Sequence, residues 1–262
     1  MATRSAGRVR VGGVPIDRLT MGQAVDAIEG LVRDGRGGSV FTPNVDHIVQ
    51  CQTDARLRAA YDAVSISLAD GMPVVWASRL LRRELPEKVS GSDLVGPLVR
   101  RAAERRWRVL LLGGGEGIAQ RAAARMCADN PGLHVVGALS PRVDLGESAE
   151  RRQRLLDAVR SATPDLVLVA LGAPKQEIWI HESTAALAPA VLLGIGATLD
   201  FMAGAVARAP AWMSRSGFEW LYRLAREPRR LWSRYLIRDP KFLGVLLNEL
   251  RARGQPGAPS SR

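Results

Sequence analysis

The chain has 262 residues, 47% apolar and 24% charged, with 37 Lys and Arg set against 26 Asp and Glu for a formal net charge of +11. That length and apolar content suit a substantial buried core and exclude a disordered chain. Two cysteines, Cys51 and Cys127, have no metal-ligand spacing and exclude a disulfide framework, which suits a reducing compartment. The positive charge points to a polyanionic partner, with nucleic acid, anionic lipid and phosphorylated substrates all open.

The opening "MATRSAGRVR" lacks the apolar core of a secretory signal. No apolar stretch in the chain reaches the ~20 residues that span a bilayer, so a cytoplasmic protein is expected. A short apolar start, "VRVGGVPIDRLT", leads to "TMGQAVDAIEGLVRDG", whose apolar positions recur at helical spacing. "SVFTPNVDHIVQCQ" then reads as strand, turn and helix start, with Thr42 and Asn44 as natural N-cap types. "AVSISLADGMPVVWASRLL" repeats that layout around Asp70 and Gly71.

A polar connector, "RRELPEKVSGSDLVG", separates these from "WRVLLLGGGEGIAQRAAARM", again strand, loop and helix. "LHVVGALSPRVD", "PDLVLVALGAPKQEIWIHES" and "AVLLGIGATLDF" continue the series. Repeated strand–loop–helix units predict an α/β fold, a mostly parallel sheet with helices on both faces. Function in such sheets collects at the carboxyl ends of the strands. Thr42, Asn44, Asp70, the glycines 113–117, Gln176 and Asp200 all fall at that rim.

From about residue 205 no strand pattern remains. "VARAPAWMSRSGFEWLYRLAREPRRLWSRYLIRDPKFLGVLLNELRARG" mixes Arg, Trp, Tyr and Leu at helical spacing. The expected organisation is a core over 1–204, a basic helical appendage over 205–253 and a disordered tail over 254–262. A charge run is usually a solvated face. Here Trp212, Trp220, Tyr222, Trp232 and Tyr235 are interleaved, the pattern of helices resting on anionic lipid.

Three motifs carry chemistry. "LLGGGEG" has the setting in which backbone N–H groups bind a diphosphate, so Gly113, Gly114 and Gly115 are candidate substrate contacts. Ile118 stands where a dinucleotide fingerprint needs its third glycine, which disfavours a nicotinamide enzyme; a tight turn without ligand is the plain alternative. "GAPKQEIWI" reads either as a solvated charged helix start or as a site where the Gln176 amide meets sugar hydroxyls. Asp70, bracketed by apolar runs, is more than a turn residue: such framing partly desolvates a carboxylate and makes it a stronger base. His47, His134 and His181 show no metal-binding spacing, so no metal and no cofactor are expected.

Together "TPNVDHI", "LADGMPVVWASRLL", "VSGSDLV", "LLGGGEG", "LVALGAPKQE", "GIGATLDFMAG", "RAPAWM" and "GFEWLYRLAREPRR" resemble the WecG/TagA/CpsF family of bacterial glycosyltransferases, in family order over residues 10–240. The resemblance implies a Rossmann-like core with a C-terminal helical appendage near the membrane. It further implies metal-independent, inverting transfer of an N-acetylmannosamine-type sugar from a UDP donor to a polyprenyl-diphosphate-linked saccharide. By that resemblance Asp70 is the general base, Thr42, Asn44, Gln176 and Asp200 line the substrate site, and Arg208 and Arg223 face the diphosphate. Lys88 stands where relatives often carry arginine, and lysine cannot reproduce a bidentate guanidinium contact. The expected partners are the two substrates and an anionic membrane surface at the inner face of the cell membrane, with a homo-oligomer left open. The competing classes are a nucleic-acid-binding module, which lacks any RNA-binding motif here, and an inactive scaffold that keeps only the lipid-binding helices.

Overall fold

A computed structural model describes residues 7–207, 209–210, 212–213 and 219–254 of the chain. The apolar start folds into a hairpin of β1 (Arg8–Val11) and β2 (Val14–Asp17), paired antiparallel and standing apart from the main sheet. Its turn, Gly12–Gly13, takes positive φ at both positions, which glycine allows without strain. A side chain on Gly12 would also meet Ile48 at 2.5 Å.

The rest follows as α1 (Met21–Asp34), β3 (Gly38–Phe41), α2 (Val45–Gln50), α3 (Ala55–Asp62), β4 (Ile66–Ser67), α4 (Met72–Leu80) and α5 (Gly91–Arg105). Next come β5 (Arg108–Gly113), α6 (Ile118–Asp129), β6 (His134–Leu139), α7 (Ala149–Ser161), β7 (Leu166–Ala170), α8 (Lys175–Leu187), β8 (Val191–Gly194) and α9 (Thr198–Met202). The C-terminal part is helical in its described residues: α10 (Glu219–Arg226), α11 (Pro228–Ser233), a π-helical turn (Arg234–Arg238) and α12 (Lys241–Gly254).

Six strands pair in the order β4-β3-β8-β7-β5-β6, every neighbouring pair parallel. Successive strand residues feed opposite faces. Leu110, Leu112, Val167, Val169 and Leu192 enter one apolar cluster, while Val109, Leu111, Leu166, Leu168, Val191 and Leu193 enter the other. Burial on both faces explains why these strands read as unbroken apolar runs. The expected α/β class, with helices on both faces and a helical C-terminal part, is the observed one.

Four local expectations are corrected. The polar connector contains α5, which Ser90 caps by accepting from the Asp93 N–H at 3.3 Å. Its buried stripe of Leu94, Val95, Leu98, Val99 and Ala102 has helical spacing, masked in the sequence by the internal Pro97. β4 is two residues long, because the chain leaves the sheet early to present Asp70. The cysteines differ: Cys127 is exposed, whereas burial pushes the Cys51 thiol up to about 12, too high for a reactive thiolate. Helix α12 runs to Gly254, one residue into the stretch expected as tail, and residues 255–262 lie outside the described residues.

Candidate functional site

All six parallel strands deliver their carboxyl ends to one cleft of about 840 Å³. Thr42 and Asn44 follow β3, Asp70 follows β4, and Gly114 follows β5 on its lining. Arg142 follows β6, Lys175 and Gln176 follow β7, and Asp200 follows β8. Arg223, Arg234 and Arg238 reach the same cleft from the C-terminal helices. Of the residues expected at the site, only Gly113, Gly115 and Arg208 are missing from this lining. Arg208 lies outside the described residues.

Backbone pairing holds Asp70 in place. The Leu68 N–H donates to Phe41 O and the Asp70 N–H to Pro43 O, both at 2.9 Å, which carries the β3–β4 ladder past the strand ends. Gly71, at φ +104, then breaks the chain away into α4, with Pro73 in its first turn. The Asp70 side chain is left half-buried at the rim, beside Thr42 and Asn44.

Asn44 is both cap and lining. Its Oδ1 accepts from the Asp46 and His47 N–H groups at 3.1 and 3.4 Å and lies 2.8 Å from His47 Nδ1. His47 continues inward, its Nε2 lying 3.3 Å from Glu177 Oε1. Gln176 Nε2 donates to that same oxygen at 2.6 Å, and Gln176 Oε1 accepts from the Gly196 N–H at 3.0 Å. A buried polar chain thus runs from Asn44 through His47, Glu177 and Gln176 to the loop after β8.

Of the two readings of "GAPKQEIWI", the solvated charged helix start is not what the structure shows at Gln176 and Glu177. Gln176 and Glu177 are 4% and 1% exposed, and only Lys175 faces water. Both ends of the Gln176 amide are engaged within the protein, so it shapes the wall of the cleft from a fixed position. Burial opposes ionisation of Glu177, but the neighbouring His47 and the hydrogen bonds from His47 and Gln176 outweigh it and hold the carboxyl below its usual range.

The glycine loop divides by role. Gly114, at φ +74, lines the cleft. Gly113, at φ +111, is needed because a Cβ there would lie 2.4 Å from Ala170 O, a packing requirement of the β5–β7 pair. Gly115 is absent from the lining.

Several residues at the site escaped the sequence. Asp46, buried on α2, forms ion pairs with Arg234 at 3.3 Å and Arg238 at 3.4 Å. Arg223, which the sequence did indicate, stacks over the Phe201 ring at 5.8 Å. Arg142, Arg151 and Lys175 add positive charge to the cleft lining. Nothing local marks Asp46 or Glu177 as buried, since their partners arrive from distant chain segments. The "N-x-x-H" capping pattern at Asn44 was the one available signal for His47.

A second, more apolar cleft of about 290 Å³ adjoins the first, lined by Met72, Pro73, Trp220, Phe242 and Leu243. Asn44, Asp70, Arg223 and Arg234 border both clefts. Lys88 lines the smaller one and pairs with Asp93 at 2.9 Å. Asp239 is also on it, and burial pushes its carboxyl up to about 6, with Asp46 adding to the rise and Arg234 and Arg238 opposing it. The arrangement offers a carboxylate at the junction of a cation-rich polar cleft and an apolar one. That combination suits a reaction between a charged soluble molecule and an amphiphile.

The chain is similar to known proteins over most of its length. The model of the family described as "Glycosyl transferase WecG/TagA/CpsF family" matches residues 9–256. A protein of Bacillus spizizenii (strain ATCC 23059 / NRRL B-14472 / W23) is 30% identical over 221 residues, 84% of this chain and 83% of its own length. A second, from Bacillus subtilis (strain 168), is 32% identical over 195 residues, 73% of each chain. Both are named N-acetylglucosaminyldiphosphoundecaprenol N-acetyl-beta-D-mannosaminyltransferase.

Proposed function

The chain belongs to the WecG/TagA/CpsF family of glycosyl transferases, enzymes of cell-surface polysaccharide synthesis, and on that premise we propose that it moves an N-acetylmannosamine-type sugar from a UDP donor to a polyprenyl-diphosphate-linked saccharide. The observation that carries this reading is the position of Asp70, which borders both clefts. The polar cleft takes the nucleotide sugar and the apolar one admits the lipid-linked acceptor, so the two substrates meet at one carboxylate.

In this mechanism Asp70 accepts the proton of the acceptor hydroxyl as its oxygen attacks the anomeric carbon. The bond from that carbon to the diphosphate oxygen breaks on the opposite face, and UDP leaves with the bonding pair. Arg142, Arg151, Lys175, Arg223 and Arg234 on the cleft lining supply positive charge for two diphosphates. Among the described residues no cluster of three His, Cys, Asp or Glu side chains is placed to hold a metal ion. In this mechanism the charge on the leaving diphosphate falls to the arginines and to backbone N–H groups near Gly114. Asn44 and Gln176, fixed by the His47–Glu177 contact, shape the wall against which the sugar is held.

No helix among the described residues is long and apolar enough to cross a membrane. We place the protein on the membrane surface through its basic, aromatic C-terminal helices.

The test is a panel of UDP-sugars screened for protection against heating, followed by transfer to a polyprenyl-diphosphate-linked N-acetylglucosamine. UDP-N-acetylmannosamine or a close relative should raise the melting temperature, and the product should gain one N-acetylhexosamine by mass. Protection by no UDP-sugar, with no transfer, would overturn the proposed donor.

A further inference from the structure

Helices α4 and α12 belong to different parts of the chain but line one cleft together and are linked again beyond it. At one end Met72 and Pro73 of α4 line the small apolar cleft together with Phe242 and Leu243 of α12. At the other end Arg83, three residues past α4, forms an ion pair with Glu249 of α12. Glu249 also accepts from the Gly12 N–H at 2.8 Å, which ties α12 to the β1–β2 hairpin. The pair is therefore held at both ends.

Each helix exposes large apolar side chains one turn apart. Trp76 and Leu80 on α4 are 49% and 58% exposed, and Leu243 and Leu247 on α12 are 66% and 52% exposed. Lone exposed apolar residues need no explanation, but two such stripes running from one cleft form a patch that asks for a partner. The charges around the patch identify its chemistry. Arg79 and Arg82 stand exposed beside Leu80, and Lys241 and Arg251 beside the α12 stripe. Helix α4 carries no acidic residue, the exposed Glu84 following it by four residues, and the single acid of α12, Glu249, is engaged with Arg83 and Gly12. Apolar side chains fringed by cations fit a bilayer of anionic lipid.

We infer that the Trp76–Leu80 face of α4 rests on anionic lipid beside α12, so that the core, as well as the C-terminal helices, makes the membrane contact. The inference rests on the surface-bound transferase proposed above and adds a docking element from the core. With both helices on the lipid, the mouth of the apolar cleft opens at the membrane, and an acceptor reaches Asp70 without its polyprenyl chain crossing water.

The experiment uses the full chain with vesicles of equal parts phosphatidylglycerol and phosphatidylcholine, and the double variant Trp76→Ser/Leu80→Ser. Partition should fall about tenfold in the variant, since two half-exposed apolar side chains lose their lipid contact. Transfer to a short-chain, water-soluble acceptor should stay at the parental rate, which also shows the variant to be folded. A second variant, Arg79→Ser/Arg82→Ser, should weaken partition at low salt and match the parent at high salt. If the parent binds no vesicles, the membrane reading itself fails and this inference with it. If the parent binds and both variants bind equally well, only the contribution of α4 is overturned. A Trp76/Leu80 variant that keeps vesicle binding but converts a parental oligomer to monomer, by light scattering, would show the face to join copies of the chain, which also overturns it.

Discussion

Asp70 could be found in the sequence because its signal is local: a carboxylate between two apolar runs at a strand end. If it is the general base, Asp70→Asn keeps the shape and removes the proton acceptor. The rate should fall by about 10²–10⁴ while the melting temperature holds. Turnover close to the parent's would remove Asp70 from the mechanism. Glu177 shows the opposite case. A charged triplet at a helix start looks solvated, and the arrival of His47 from α2, 130 residues earlier, together with the Gln176 amide makes burial of the carboxylate tolerable. Its folded pKa is depressed, so its stabilising contribution is complete above the ordinary carboxylate range and is lost as pH falls through the folded value. Glu177→Gln should therefore unfold less steeply in acid than the parent, although it is less stable at pH 7. Acid melting curves that are parallel for the two proteins would show that Glu177 carries no charge in the native state.

At the scale of elements, periodicity revealed the long buried strands and helices and failed where function or proline interrupts it. β4 is cut short to turn Asp70 outward, and Pro97 hid α5 although its cap and apolar stripe were present. The contact between α2 and the π-helical turn was illegible for another reason: it joins Asp46 to Arg234 and Arg238 across nearly the whole chain. Asp46→Asn should loosen the C-terminal helices, at a cost on the order of 2–4 kcal/mol, below the fully buried limit because Arg238 is half exposed. Faster proteolysis beyond residue 204, with a raised KM for the lipid acceptor, is the expected result.

The same junction has a pH dependence of its own. Burial raises Asp239 to about 6, with Asp46 adding to the rise and Arg234, Arg238 and His47 opposing it. A raised carboxyl means that the folded state binds the extra proton between the ordinary carboxylate value and about 6. The contribution of Asp239 is therefore most favourable at acid pH and is lost as pH rises through that window. Protease resistance of the C-terminal helices should be greater at pH 5 than at pH 7.5, and Asp239→Asn should flatten the difference. An equally steep profile in the variant would assign the effect to another group.

The whole molecule modifies the division drawn from the sequence between core and appendage. Composition changes sharply near residue 205, yet Leu231, Phe242 and Leu246 are buried, and the last two belong to the same apolar cluster as the β5, β7 and β8 strands. A chain cut after residue 204 exposes that cluster and should melt lower than the parent, beyond any loss of activity. It keeps Thr42, Asn44, Asp70, Gly114, Arg142, Gln176 and Asp200, enough of the polar cleft for a UDP-sugar to retain some protection against heating. It loses Arg238 and, with Arg223 and Arg234, the two arginines that border both clefts. Transfer should therefore collapse in the truncated chain even with a water-soluble acceptor, for which membrane contact is irrelevant. EDTA should leave the full-length rate unchanged, because in this mechanism those arginines carry the diphosphate charge that a divalent ion would otherwise offset. The two measurements constrain each other. A truncated chain that transfers at the full rate, or a full chain that stops with EDTA and recovers with Mg²⁺, would each take the diphosphate away from the C-terminal arginines.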